Sequence, residues 1–251
     1  MHRGPGEGCL LCGSELRYSE ETAHCVCSIC GSESLSTATC VQGHFVCDAC
    51  HQTSGNEVIE KACLASTCTD PVALATILMR SPAVAMHGPE HHFLVPASLL
   101  SAYYDALGRP EEKPQALREA RRRGEKVPGG FCGTHGNCGA AVGSGIFWSV
   151  VTGARPLSTT HWAECNRLTA QCLLRIAEHG GPRCCKRDTW HAILETRALI
   201  GERLPELGWT GPVPNPVCEH HSRNRQCRGA ACEFYPQDAH GSRAPRDPTD
   251  A

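Results

Sequence analysis

Nineteen cysteines in 251 residues constrain this chain more than any other feature. Thiols at that density need a chemical reason: a disulfide framework, bound metal or reactive groups. Disulfide scaffolds are characteristically short secreted domains, and an odd number of cysteines cannot pair completely within one chain. The opening stretch from Met1 to Gly8 also lacks the apolar core of a signal peptide. The sequence therefore predicts a reducing, cytoplasmic setting with the thiols held as metal ligands or reactive groups. The longest uncharged run, Gly139 to Ala154, is too short and glycine-rich for a membrane span. A net charge of -2 leaves no basic whole-chain footprint and argues against a nucleic-acid partner.

The cysteines are spread unevenly. Ten lie between Cys9 and Cys68, none between Cys68 and Cys132, and nine from Cys132 to Cys232. This divides the chain into a zinc-binding ribbon module over 1–68, a helical Cys/His-rich domain with a C-terminal cysteine segment over 69–235, and a polar, disordered tail over 236–251. The expected fold class is mainly α, with a small zinc-ribbon or treble-clef-like β module at the N-terminus. In the helical part, Asp70-Pro71 reads as a cap and first helical residue. Further helices are expected from near Pro96 to Leu107, from Pro114 to Lys126, and from Cys138 to Thr152. The next runs from an Ser158 N-cap, with Leu157 and Trp162 as a hydrophobic staple, to His179. The last is capped by Asp188. Gly139 and Gly143, four apart, would let another helix approach closely.

Cys9-x2-Cys12-Gly and Cys27-x2-Cys30-Gly are matched knuckles, each able to point two thiolates at one ion. Together they predict a closed tetrahedral zinc site of the ribbon kind, joining Cys9 to Cys27. Cys40-x3-His44-x2-Cys47-x2-Cys50 predicts a second zinc site. A competing order is the RING-type cross-brace starting at Cys27 and ending at Cys63 and Cys68, in which Cys27 joins Cys47. Closed sites of this kind stabilise small modules and dock partners but do no chemistry themselves.

The second set is softer and more dispersed. Cys132 and Cys138 flank a glycine-rich loop that enters a helix, and Cys184-Cys185-Lys186-Arg187 precedes another helix, where two cations and the helix dipole would lower a thiol pKa. Cys218, Cys227 and Cys232 follow in the C-terminal segment. Three tail cysteines plus Cys184 or Cys185 make a four-thiolate set that suits an iron–sulfur cluster, expected to be of the four-iron–four-sulfur (4Fe-4S) type, better than catalytic zinc. Further structural zinc is the competing reading. His87-Gly-Pro-Glu90-His91-His92 is the densest histidine cluster and matches the inverzincin string, yet Gly88-Pro89 argue against the continuous helix that motif needs. The candidate catalytic residues are Cys132, Cys138, Cys185, His87, Glu90 and His91, the last three for proton transfer or orientation.

Several strings stand out together: Gly43-His-Phe-Val-Cys-Asp48, Met86 to Pro96, Val127-Pro-Gly-Gly-Phe-Cys132, Glu178 to Asp188, and Arg223-Asn-Arg-x-Cys227. They resemble a cysteine-rich domain-of-unknown-function family, number 5714, over roughly Cys9 to Pro236. Members of that family occur alone or joined to radical SAM or methyltransferase-like domains, mainly in anaerobic microbes. The resemblance implies anaerobic metal or one-carbon chemistry and a radical SAM or methyltransferase protein as partner, and it supplies no catalytic residues. The chain itself lacks a Cys-x3-Cys-x2-Cys run. The functional expectation is a metalloprotein with structural zinc and a thiolate-held, iron–sulfur site for redox, sulfur or methyl-transfer chemistry. Alternatives are a non-catalytic zinc-ribbon adaptor for protein or RNA, thiol chemistry at Cys185, and a zinc hydrolase using His87, Glu90 and His91.

Overall fold

The computed structural model describes residue 9, residues 14–47 and residues 55–237; Cys12, Cys50 and nearly all of the predicted tail lie outside the described residues. The N-terminal module is one antiparallel hairpin of β1 (Leu16–Val26) and β2 (Glu33–Cys40). Its register sets Leu16 opposite Cys40 at one end and Val26 opposite Glu33 at the other, with an irregularity between Tyr18 and Ala23. Among the described residues after it, the regular elements are helical: α1 (Gly55–Ala65), α2 (Pro71–Arg80), α3 (Glu90–Ala106), α4 (Lys113–Gly124), the short α5 (Phe131–Thr134), α6 (Gly139–Thr152), α7 (Thr160–Glu178) and α8 (Cys185–Arg203). A segment of single 3₁₀ turns carries the last cysteines. Among the described residues, no helix is long and apolar enough to cross a membrane. The mainly α class with a small N-terminal sheet is as the sequence indicated.

α3 is the hub. His91 to Tyr104 are buried on every side, as befits a helix with few charges, and α1, α2, α4, α6 and α8 all pack on it. The α6 contact depends on two missing side chains. A Cβ on Gly139 would fall 2.1 Å from the His92 ring, and one on Gly143 would fall 2.9 Å from Val95 and Pro96. The glycine pair is thus used for close helix approach.

Three local readings differ from the sequence expectation. α3 starts at Glu90 rather than near Pro96, so Pro96 sits inside the helix. The proline forfeits one backbone bond, to the His92 carbonyl, and the burial of the whole helix outweighs that loss. Ser158 does not cap α7, which begins at Thr160. Its hydroxyl accepts the Arg155 N–H at 2.9 Å, and Leu157 and Trp162 are exposed instead of stapled. Asp188 lies within the first turn of α8, buried and bonded to Arg187 at 3.2 Å. Asp70, by contrast, caps α2 by accepting the Val72 N–H at 2.9 Å.

α1, assigned to the zinc module from sequence, packs on the helical core through Ile59 and Cys63. Ser101 donates to the Cys63 carbonyl at 2.9 Å. Lys113, almost fully buried, donates to the Ser66 carbonyl at 2.7 Å and pairs with buried Asp105 at 2.8 Å. On the outer face of α4, Arg122 and Arg123 hold the Glu119 carboxyl down at about 2, and Arg121 pairs with Glu60 and Glu125. The arginine run is therefore a surface of paired charges.

Removing one partner of a buried pair leaves an uncompensated charge. Lys113→Met is expected to cost about 3–5 kcal/mol in denaturant unfolding, and Lys113→Met with Asp105→Leu markedly less than the sum of the single changes. Additive losses would show that the pair is not the latch described here.

Candidate functional site

In the hairpin, two groups of described side chains converge tightly enough to hold a metal ion: Cys9, Cys40 and His44 in one, and Cys27, Cys30 and Cys47 in the other. Cys9 Sγ lies 3.8 Å from His44 Nδ1, and Cys30 Sγ lies 3.8 Å from Cys47 Sγ. A tetrahedron of metal–sulfur bonds of about 2.3 Å needs ligand separations of about 3.8 Å. The knuckles repeat one local design: Cys9 N–H bonds the Ser14 carbonyl at 2.7 Å, and Cys27 N–H bonds the Ser32 carbonyl at 2.8 Å. Backbone N–H groups favour thiolate sulfur, Gln42 facing Cys40 at 3.3 Å and Cys47 facing Cys27 at 3.4 Å.

This pairing corrects the ribbon expectation. Cys9 and Cys27 flank β1, and the antiparallel register carries the start of β1 to the end of β2, where Cys40 and His44 sit. Cys27 and Cys30 stay at the other end and meet Cys47, brought back by the 2.8 Å bond from Ser28 N–H to the Phe45 carbonyl. The order is a cross-brace whose frame begins at Cys9. Cys63 belongs to the helical core, and the Cys68 thiol faces the Asp70 carbonyl at 3.4 Å, so neither joins these groups. Cys25 is buried with its thiol on the Ala23 carbonyl.

In the helical body, the N-terminus of α8 separates two cavities. Cys184 lines one with Cys218, Cys227 and Cys232. The tail loop is closed by Cys218 N–H on the Phe234 carbonyl at 2.7 Å. It is fixed to the body by Arg228, which donates to the His179 carbonyl, and by the Arg80–Glu219 pair at 2.5 Å. Burial raises the Cys184, Cys218 and Cys232 thiols, Cys218 to about 11, while a backbone N–H works the other way at each. Gly229 N–H likewise faces Cys227 Sγ at 3.4 Å. These four sulfurs share one cavity but do not form a tight single-ion group of the kind seen in the hairpin.

Cys185, one residue on, lines a cleft of about 210 Å³ instead, together with His87, His91, Cys132, Cys138, Arg183 and Asp188. Of the six candidate catalytic residues, Glu90 is the one that does not line it: its carboxylate folds back over Gly88 and accepts the Ala85 N–H at 2.6 Å. The two histidines carry fixed tautomers. His91 donates its Nδ1 proton to the Gly88 carbonyl at 3.1 Å, which leaves Nε2 a buried acceptor with no partner among the described residues. Asn224 Oδ1 accepts the Gln226 N–H at 3.0 Å, so the His87 Nε2 facing that oxygen at 3.2 Å is a donor. His87 Nδ1 is thus a second orphaned acceptor. The other end of the Asn224 amide donates to Cys184 Sγ at 3.5 Å.

The lowered thiol pKa expected at Cys184-Cys185 does not occur. Burial pushes Cys185 up to about 11 and Cys138 to about 12. The two cations are engaged elsewhere: Lys186 donates to the Met79 and Val84 carbonyls at 2.9 Å each, and Arg187 donates to Asp188 and to the Gly180 and Pro182 carbonyls. Bare thiols here are poor nucleophiles, whereas coordination to a metal deprotonates a thiol outright. Asn224 and His220 were missed from sequence, although Asn224 lies within the Arg223-Asn-Arg-x-Cys227 string. Distance along the chain hides their place beside Cys184 and His87.

The chain belongs to a family of unknown function, DUF5714, whose model matches residues 59–235. That span takes in the cleft, the four-cysteine cavity and nearly all of the helical body. No curated protein and no solved structure matches the chain.

Metal stoichiometry in paired variants reads the hairpin pairing directly. Cys9→Ser with Cys40→Ser should lose one bound ion per chain, and Cys9→Ser with Cys27→Ser should lose two, by native mass spectrometry; a ribbon would reverse these outcomes. A pH dependence follows from the buried imidazoles. Burial holds His91 well below its usual range and His220 down at about 3, and Arg223 donates to His220 Nδ1 at 3.1 Å. The unfolded chain binds these protons near pH 6.5 and the folded chain does not, so stability present above that pH should fall steadily as pH drops toward 3. Denaturation midpoints measured from pH 7.5 to 4 test this, and a flat profile would contradict it.

Proposed function

We propose that this chain is a cytoplasmic metalloprotein in which two zinc ions brace the N-terminal hairpin and Cys184, Cys218, Cys227 and Cys232 hold an iron–sulfur cluster of the 4Fe-4S type. The adjoining cleft then serves redox, sulfur or methyl-transfer chemistry, with a radical SAM or methyltransferase protein as partner. The observation that carries this reading is the contrast between the two kinds of cysteine group. The hairpin ligands close to 3.8 Å, as one tetrahedral ion requires. The four helical-body cysteines surround a common cavity without closing to that spacing, and a cubane keeps its thiolates farther apart because iron and sulfide atoms lie between them.

A bound cluster supplies one-electron transfer or a soft Lewis acid. This chain's own residues supply the rest. Asn224 donates to Cys184 sulfur and fixes the proton of His87 on Nε2. His87 Nδ1 and His91 Nε2 offer two lone pairs that accept hydrogen bonds from a bound molecule. Arg183 adds a positive charge to the same cleft. Docking is favoured for the hairpin, where Tyr18, Val26 and Leu35 are exposed apolar side chains.

Anaerobic purification with iron, zinc and acid-labile sulfide counted together tests the reading. The expectation is visible charge-transfer absorption, about four iron and four sulfide per chain, and their loss in Cys227→Ser while the zinc count is unchanged. A colourless protein carrying only zinc in both wild type and variant would replace this reading with that of a zinc-bound adaptor.

A further inference from the structure

A third convergence of ligand atoms is made by residues that line neither cavity. His179 at the end of α7, His191 in the second turn of α8, and Glu233 next to Cys232 bring one nitrogen or oxygen each within 4.8 Å of one another. His179 Nε2 is 3.3 Å and His191 Nδ1 3.1 Å from the same Glu233 oxygen.

The protein's own hydrogen bonds leave this group incompletely satisfied. His179 Nδ1 donates to the Arg175 carbonyl at 2.8 Å, which leaves Nε2 as the ring nitrogen turned toward the carboxylate. His191 Nδ1 lies between the Arg175 Nε–H at 3.5 Å and the Glu233 oxygen at 3.1 Å, and its Nε2 is buried with no partner among the described residues. Three atoms able to ligate a cation therefore face one another, and His191 is fully buried. Arg175 offsets only part of the charge, because its guanidinium is divided between Glu195 at 3.3 Å and Glu233 at 3.9 Å. An imidazole that gives its far N–H to a backbone carbonyl while its near nitrogen points at a carboxylate is the arrangement that orients histidine for a metal.

We propose that His179, His191 and Glu233 bind a divalent transition-metal ion of the class that takes imidazole nitrogen and carboxylate oxygen. The ion is separate from the thiolate-held metals and leaves coordination positions open to water. It ties the last cysteine segment to α7 and α8 beside Cys232. The site does not rest on the cluster reading.

Cobalt(II) is the probe, because on nitrogen and oxygen ligands it lacks the intense sulfur-to-cobalt charge transfer of a thiolate site. Full-length protein with its thiolate sites already filled is dialysed against Co²⁺. Wild type should retain one further equivalent with weak d–d absorption only and show a raised thermal midpoint. His179→Gln, at a half-exposed helix end, and Glu233→Gln should each lose that equivalent and the thermal shift, with helical circular dichroism unchanged. Failure of wild type to take up the extra ion, uptake carrying thiolate charge transfer, or retention of the ion in folded His179→Gln would each overturn the proposal.

Discussion

The divergence of Cys184 and Cys185 governs the functional half of this molecule. Cys184 is extended as the cap of α8, and Cys185 is its first helical residue. The backbone turn between them sends one thiol to the tail loop and the other to the cleft. That turn cannot drift, because its flanks are anchored in the core. Lys186 is buried on the Met79 carbonyl at the end of α2 and the Val84 carbonyl of the connection to α3, and Arg187 is buried on Asp188 and the loop that precedes α8. Four successive polar or charged residues, Lys186 to Thr189, are buried at this point. Burying that much charge is costly unless it is partnered, and the bonds of Lys186, Arg187 and Asp188 set one arrangement of the two thiols.

Much of the architecture was legible in the chain. Asp70-Pro71, the paired glycines of α6 and the knuckle spacings state local geometry through the residues that permit it. What the sequence hid is what register decides. Knuckles with identical spacing accept either partner, and the choice between ribbon and cross-brace falls to the pairing of Leu16 with Cys40. Proline at 96 reads as a helix start because its lost hydrogen bond is a local cost, while the compensating burial of α3 against five neighbours is not local. Ser158 and Asp188 carry the side chains of caps. One spends its hydroxyl on Arg155 and the other its carboxylate on a buried arginine.

The candidate site was legible in its membership more than in its division. The sequence set Cys132, Cys138, Cys184, Cys185, Cys218, Cys227 and Cys232 together; the fold sorts them into a cavity on one side of α8 and a cleft on the other. Glu90 looks like a catalytic acid from its place between histidines, yet the missing side chain of Gly88 lets its carboxylate fold onto Ala85. His179 and His191 lie on separate helices whose packing brings their rings to 4.0 Å, and the return of the tail adds Glu233.

The single amide of Asn224 spans the wall between the two compartments, holding a sulfur at one end and an imidazole at the other. Hydrogen bonds in series polarise one another. Electron density gained at Cys184 therefore strengthens the pull on the amide hydrogen, makes its oxygen a better acceptor and draws the imidazole proton toward it. The polarity of the ring is thus coupled to the charge on the Cys184 sulfur, and the two sides of α8 are in electrostatic contact through one side chain.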